Sequence, residues 1–218
     1  MNNLQSSTKE SIPRFSSLGE AWLYSLREVL EVGSPEEDAG RDLREVCNLI
    51  LRIVDIDRSD RLLERFANQE RISLMYTKYR SLEALPQYPM SYGSLLYDHE
   101  GVDQIAWVIN RLRQKRETKG ATIGFHSPGA DELSCVSLID FKIRRDQLNM
   151  AVVYRSQDVF ASQPGNLLAL HDVHERVAGS LEVAIGDTVL HAMSAHIYAD
   201  DLVAAESIVS RSVGTSVS

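Results

Sequence analysis

Apolar residues recur along this chain with two different periods, and the changes of period mark its elements. From Leu18, the positions Trp22, Leu23, Leu26, Val29 and Leu30 repeat at helical spacing, and the run stops at Gly33, a C-cap residue ahead of the Ser34-Pro35 break. The stretch LREVCNLILRIVDI is apolar enough for a buried strand or a helix, and periodicity alone does not choose between them. Residues Ser59 to Tyr79 read as helical, after which Pro86 and Pro89 impose an extended or turn passage into SYGSLLY. In VDQIAWVINRLRQKRE, Ile105, Val108, Ile109 and Leu112 fall on one face with charges opposite, which predicts an amphipathic helix.

Strand-like runs then dominate. ATIGF after Gly120 predicts a strand and HSPGADE a turn-rich loop. SCVSLIDFKI and NMAVVYRS are β-rich runs joined at Arg145-Asp146-Gln147, so Cys135 lies near the start of a strand. Helical periodicity returns from Leu167 to Val183, and TVLHAMSAHIY is again a strand. The order predicts an α/β (α+β) fold with mostly C-terminal strands. Residues 1–17, rich in Ser, Thr and Asn, bury too little apolar surface to order themselves and predict a flexible polar tail. The remainder, 18–218, is expected to form one domain, because 218 residues of which 44% are hydrophobic suffice for a full core.

Composition narrows the function. A net charge of -8 argues against a binder of nucleic-acid polymers, which needs a basic face, but leaves room for a local site for one small anion. Two cysteines, Cys47 and Cys135, make no disulfide framework, and no apolar run approaches the roughly 20 residues of a membrane span. The N-terminal MNNLQSSTKESIPRFSS lacks the apolar core of a signal peptide, so the expected compartment is a reducing cytoplasm.

Six polar residues of the C-terminal half carry candidate chemistry: Cys135, Arg155, Asp158, Asn166, His196 and Tyr198. A thiolate that adds at C6 of a pyrimidine pushes electron density onto C5, which then attacks a one-carbon donor. Cys135 could be that nucleophile, and Arg155, returned by the hairpin, could supply the positive charge that favours a thiolate. Each residue also has a plain structural explanation. Cys135 could be a small buried hydrophobe, Asn166 after Pro164-Gly165 a helix N-cap, Asp158 a turn residue, and His196 and Tyr198 half-buried positions on one strand face. A second grouping, His171-Asp172-x-His174-Glu175, lacks a third ligand and a cleft for metal, and its charges suggest a solvated helix face, so no metal site is predicted.

The motif order resembles the thymidylate synthase and deoxycytidylate hydroxymethylase superfamily over roughly Tyr92 to Tyr198. Cys135 precedes Arg155 by 20 positions, Arg155-Ser156-x-Asp158 is followed by Asn166 eight positions later, and His196 lies ten past Gly186. The resemblance implies a mixed twisted sheet with flanking helices and a homodimer whose sheets pack together. It implies a nucleophilic thiol at Cys135, phosphate contacts from Arg155 and Ser156, support at Asp158, base reading by Asn166 and sugar contacts from His196 and Tyr198. Arg41 stands in for the family's N-terminal phosphate arginine, and Lys119-Gly120 replaces the paired arginines that reach across the dimer. The expected substrate is a pyrimidine nucleotide and the expected donor 5,10-methylenetetrahydrofolate, the product being methyl or hydroxymethyl.

The departures are local. Ser134 and Val136 replace the usual Pro and His around the cysteine, and Pro164-Gly165-Asn166 replaces Pro-Phe-Asn. The family's catalytic glutamate and folate-lining tryptophan have no assignable counterpart in the N-terminal half. The 20 residues after Tyr198 are about half of what the family uses to close over folate, so that cap is expected to be missing or replaced. Asn166 suits a uracil-type edge, although an amide can turn over to serve either base. A catalytically divergent nucleotide-binding homologue with a regulatory or assembly role stands as the alternative.

Overall fold

The computed structural model describes residues 12–86, 88, 90–126, 129, 131 and 133–213. Most of the predicted tail, part of the HSPGADE loop and the end of SRSVGTSVS lie outside these residues. The tail prediction is corrected at its inner end, where Arg14–Phe15 (β1) pairs in parallel with Arg52 and Ile53. Phe15 packs its ring 5.0 Å from Tyr24, and that apolar contact holds a segment whose composition reads as polar.

Helix α1 (Leu18–Val32) begins at Ser17, whose side chain accepts from Glu20 N, and ends at Gly33 in an extended conformation. A side chain at Gly33 is barred, because a Cβ there would lie 2.3 Å from Val29 O. The ambiguous stretch resolves as strand: β2 (Ser34–Asp38) and β3 (Arg41–Ile53) form a hairpin, so strands enter the sheet well before the C-terminal half. The helical reading of 59–79 divides at Ala67-Asn68 into α2 (Arg61–Phe66) and α3 (Gln69–Arg80). The proline passage leads into a short helix, α4 (Tyr92–Tyr97), and α5 (Gln104–Gln114) buries Ile105, Val108, Ile109 and Leu112 as its spacing predicts.

After β4 (Thr122–Gly124), strands β5 (Val136–Arg144) and β6 (Gln147–Tyr154) turn at Arg145 and Asp146, both at positive φ as a two-residue hairpin requires. A two-residue strand, β7 (Gln157–Asp158), precedes α6 (Gln163–Ser180), and β8 (Ala184–Tyr198) leads through a 3-10 turn at 199–201 to α7 (Leu202–Val213). The described strands make one mixed sheet in the order β1-β3-β8-β6-β5-β4, with β2 beside β3 and β7 beside β8.

Register decides the two faces of this sheet. Leu51, Leu190, Val152 and Ile139 align across four strands and are all fully buried. With Trp22, Leu26, Leu167, Leu170 and Val177 from α1 and α6 they belong to one apolar core, each fully buried large side chain contributing ~2 kcal/mol. The neighbouring row, Ile50, His191, Val153 and Leu138, points to the opposite face and is only partly covered.

The His171-Asp172-x-His174-Glu175 segment departs from the solvated face its charges suggest. His174 is fully buried, its Nε2 lies 2.7 Å from Leu148 O, and burial lowers its pKa to about 4. Asp172 is occupied by Arg58 and Arg80, and His171 faces Glu175 at 3.7 Å. Among the described residues no group of three or more His, Cys, Asp or Glu is placed to hold a metal ion, and no helix is long and apolar enough to cross a membrane.

Candidate active site

A cavity of about 280 Å³ opens where α3, the start of β5, β7, the start of α6 and the end of β8 converge. Cys135, Ser156, Asp158, Asn166, His196, Tyr198 and Arg41 all line it, although they span most of the chain. Two predicted residues do not. Lys119 is exposed outside the lining. Arg155 instead clamps the segment before the thiol, donating from Nε to Ser134 O at 3.0 Å and from a terminal nitrogen to Leu133 O at 2.9 Å.

The clamp explains how the thiol is presented. Arg155 N also donates to Cys135 O at 2.8 Å, and His126 Nε2 lies 3.1 Å from Ser134 O, so the chain enters β5 tied at successive carbonyls. Cys135 is left half-buried at the cavity wall, while Cys47 is exposed on β3. The Glu45 carboxylate pushes the Cys47 thiol up, because a thiolate beside that charge is disfavoured.

The cation near Cys135 is Lys78, which sequence reasoning passed over as one more position in a helix. Its residue is 7% exposed, and its ammonium sits 3.7 Å from the centre of the Tyr88 ring and 4.0 Å from that of Tyr92. Burial lowers its pKa to about 8, against the opposing pull of Cys135. Burial, followed by the charge of the Cys135 thiol, raises the pKa of Tyr92. Backbone contacts hold this trio together. Ser91 Oγ donates to Lys78 O at 2.9 Å, and a Cβ at Gly93 would fall 2.1 Å from Ser81 O, so only glycine lets α4 close on the end of α3. One signal was available: Arg71, Met75 and Lys78 recur at i, i+4 and i+7, which places a lysine on the same face as a core methionine.

Across the cavity, His196 and Tyr198 share a face as predicted, their rings 5.1 Å apart, and the Arg41 guanidinium stacks 3.5 Å above the Tyr198 ring. Asp158 pairs in register with His196 on the adjacent strand and accepts from Ala161 N at 2.9 Å. Burial raises the Asp158 pKa and lowers that of His196, each partner's charge partly opposing the change in the other.

Asn166 is not an N-cap. Helix α6 begins four residues before the predicted start, at Gln163, which puts Asn166 within its first turn with the side chain buried. Its Nδ2 donates to Gln157 Oε1 at 3.3 Å and its Oδ1 has no partner. Gly165 beside it gives α3 its place, since a Cβ there would meet Met75 Cγ at 2.8 Å and Ile72 Cα at 3.1 Å. The glycine in Pro-Gly-Asn thus exchanges a side chain for close helix contact. Asp201 and Tyr88 complete the wall and were not foreseen.

Comparison with known proteins agrees with this arrangement. A family model described as thymidylate synthase matches residues 23–217. A Methanosarcina acetivorans protein named "Putative thymidylate synthase" is 31% identical over 205 residues, covering 91% of this chain and 94% of its own length. Proteins of the same name from Methanococcoides burtonii and Methanosarcina barkeri are each 30% identical, over 88% and 91% of this chain and 92% and 94% of their own lengths. With the family model spanning nearly the whole sequence and these relatives aligned along most of it, this chain belongs to the thymidylate synthase family.

Proposed function

We propose that this protein transfers a one-carbon unit to C5 of a pyrimidine nucleotide through a covalent adduct between Cys135 and C6. The observation that carries the reading is the convergence on one cavity of a half-buried thiol, a desolvated cation and a buried amide with an open acceptor. Formation of the Cys135 Sγ–C6 bond shifts the C5–C6 π pair onto C5 and O4, and C5 bonds to the donor carbon. Loss of the C5 proton then expels the donor nitrogen and leaves an exocyclic methylene on the ring. Addition of water (hydroxymethyl) or of a hydride from the reduced donor (methyl) to that carbon, with departure of Sγ from C6, restores the ring. Lys78 and Tyr92 line the cavity wall beside the thiol. Asn166 reads the base edge, His196 and Tyr198 hold the sugar, and Arg41 and Ser156 face the phosphate. Asp158 supports the loop that carries Ser156. Arg155 acts through its clamp on the Cys135 segment.

The cavity's residues suit a reduced-folate donor. Met75 and Tyr88 offer an apolar and an aromatic surface, and the Asp158 and Asp201 carboxylates offer acceptors for ring N–H groups. When bound, 5,10-methylenetetrahydrofolate supplies carbon at the oxidation level of formaldehyde. Lys119, outside its own chain's cavity, serves only by crossing to a second subunit. The partly exposed row Ile50, Val189, His191, Ala151, Val153 and Leu138 supports such a sheet-to-sheet homodimer.

The commitment of Arg155 to two main-chain carbonyls favours a second reading, a nucleotide-binding homologue without turnover. Tritium release from C5-labelled dUMP, UMP, dCMP and CMP in the presence of methylenetetrahydrofolate separates the two. Release that disappears in Cys135→Ser supports the transferase and names base and sugar together; no release from any of the four overturns it.

A further inference from the structure

Asn166 is 4% exposed, lines the cavity beside Cys135, and leaves Oδ1 buried without a partner. An open buried acceptor in a folded chain calls for an explanation, and a ligand donor supplies one. The amide is not free to turn over, because two further groups set its direction. The backbone carbonyl of Asp158 can only accept, so Gln157 presents Nε2 to it, at 2.9 Å. Gln157 Oε1 is thereby the acceptor for Asn166 Nδ2 at 3.3 Å. The carbonyl at the head of this relay also accepts from Ser162 N at 3.2 Å, which ties it to the entry of α6.

Amide direction matters because the two pyrimidines differ along one edge. Uracil offers an N3–H donor beside the O4 acceptor, whereas cytosine offers the N3 acceptor beside a 4-amino donor. At a fixed ring position one amide serves both only by turning over. We propose, resting on the pyrimidine-nucleotide reading above, that Gln157 is a positioning residue that holds Asn166 Oδ1 toward the ligand and so determines which pyrimidine base the cavity accepts. The ligand chemistry is a ring edge with an N–H donor, from the uracil imide or the cytosine amine. Gln157, 1% exposed, acts through Asn166.

Dissociation constants of dUMP, UMP, dCMP and CMP, measured by calorimetry on the full chain, give a uracil-to-cytosine ratio for each sugar. Wild type favours one base by about tenfold or more, the discrimination of one well-made bidentate pair. In Gln157→Leu the amide turns freely and the ratio falls within about threefold. Gln157→Glu, protonated in this buried setting, donates to the Asp158 carbonyl and accepts from Asn166 as the amide does, and retains the preference. Gln157→Met, unbranched and close to glutamine in length, gives the same readout should the leucine variant not fold. An unchanged ratio in the leucine and methionine variants, or a wild type that binds both bases within threefold, overturns the pinning and leaves the pyrimidine reading standing. A wild type that binds none of the four overturns that reading and the inference with it.

Discussion

Replacing Lys78 by methionine sets stability against thiol reactivity. The fall of the Lys78 pKa from 10.5 to about 8 corresponds to ~3 kcal/mol spent on holding a desolvated ammonium. The Tyr88 and Tyr92 faces return ~1 kcal/mol of this by cation–π attraction. Lys78→Met therefore stabilises the fold by about 2 kcal/mol at pH 7. The folded pKa lies below the unfolded one, so the cost is complete below pH 8 and is relieved as pH rises from 8 toward 10.5, where the unfolded chain binds the extra proton. Urea denaturation of both proteins at pH 7, 8, 9 and 10 should show their difference shrinking. Over the same comparison, alkylation of Cys135 at pH 7.5 slows with the nearby cation gone. A variant less stable than wild type at pH 7, or a stability difference that does not move with pH, refutes this account of Lys78.

Three further outcomes follow from individual environments. In wild type, iodoacetamide modifies half-buried Cys135 faster than exposed Cys47, whose thiol Glu45 pushes up, and a bound nucleotide protects Cys135 alone; peptide mass spectrometry reads both sites, and equal unprotected rates count against the nucleophile. His174, its pKa lowered to about 4 by burial, makes stability decline as pH falls from 6.5 through 4, by up to ~3 kcal/mol, and a His174→Gln variant flattens that limb of the pH–stability curve. Gly165→Ala forces Met75 and the Ile72 backbone away from α6, with a loss of about 1–3 kcal/mol and weaker nucleotide binding; unchanged stability would mean that α3 and α6 are not held in close contact.

Local pattern was informative wherever one element buries one face. The spacing of Trp22, Leu26 and Val29 located α1, and that of Ile105, Val108 and Leu112 located α5, because each helix meets the core along a single stripe. It failed where both periods were compatible with burial, as at β3, whose strand pairing with β8 over ten positions decides the matter. The start of α6 was read too late for a related reason. Pro164 and Gly165 look like a loop in sequence, yet proline is at home in a first helical turn and the glycine is needed where α3 presses against it.

The candidate site divides along the same line. The amino-acid sequence by itself determined the family, because Cys135, Arg155, Asp158, Asn166, His196 and Tyr198 keep their types and separations, and it placed His196 and Tyr198 on one face through the two-residue repeat of a strand. Only the tertiary structure decided what surrounds the thiol. Lys78 reaches Cys135 because Gly93 and Ser91 dock α4 against the end of α3, while Arg155, expected as the activating charge, spends its donors on the carbonyls of Leu133 and Ser134. Which cation meets a nucleophile depends on contacts between segments far apart in the chain and on which hydrogen-bond partners each side chain finds first, and neither is carried by residue spacing.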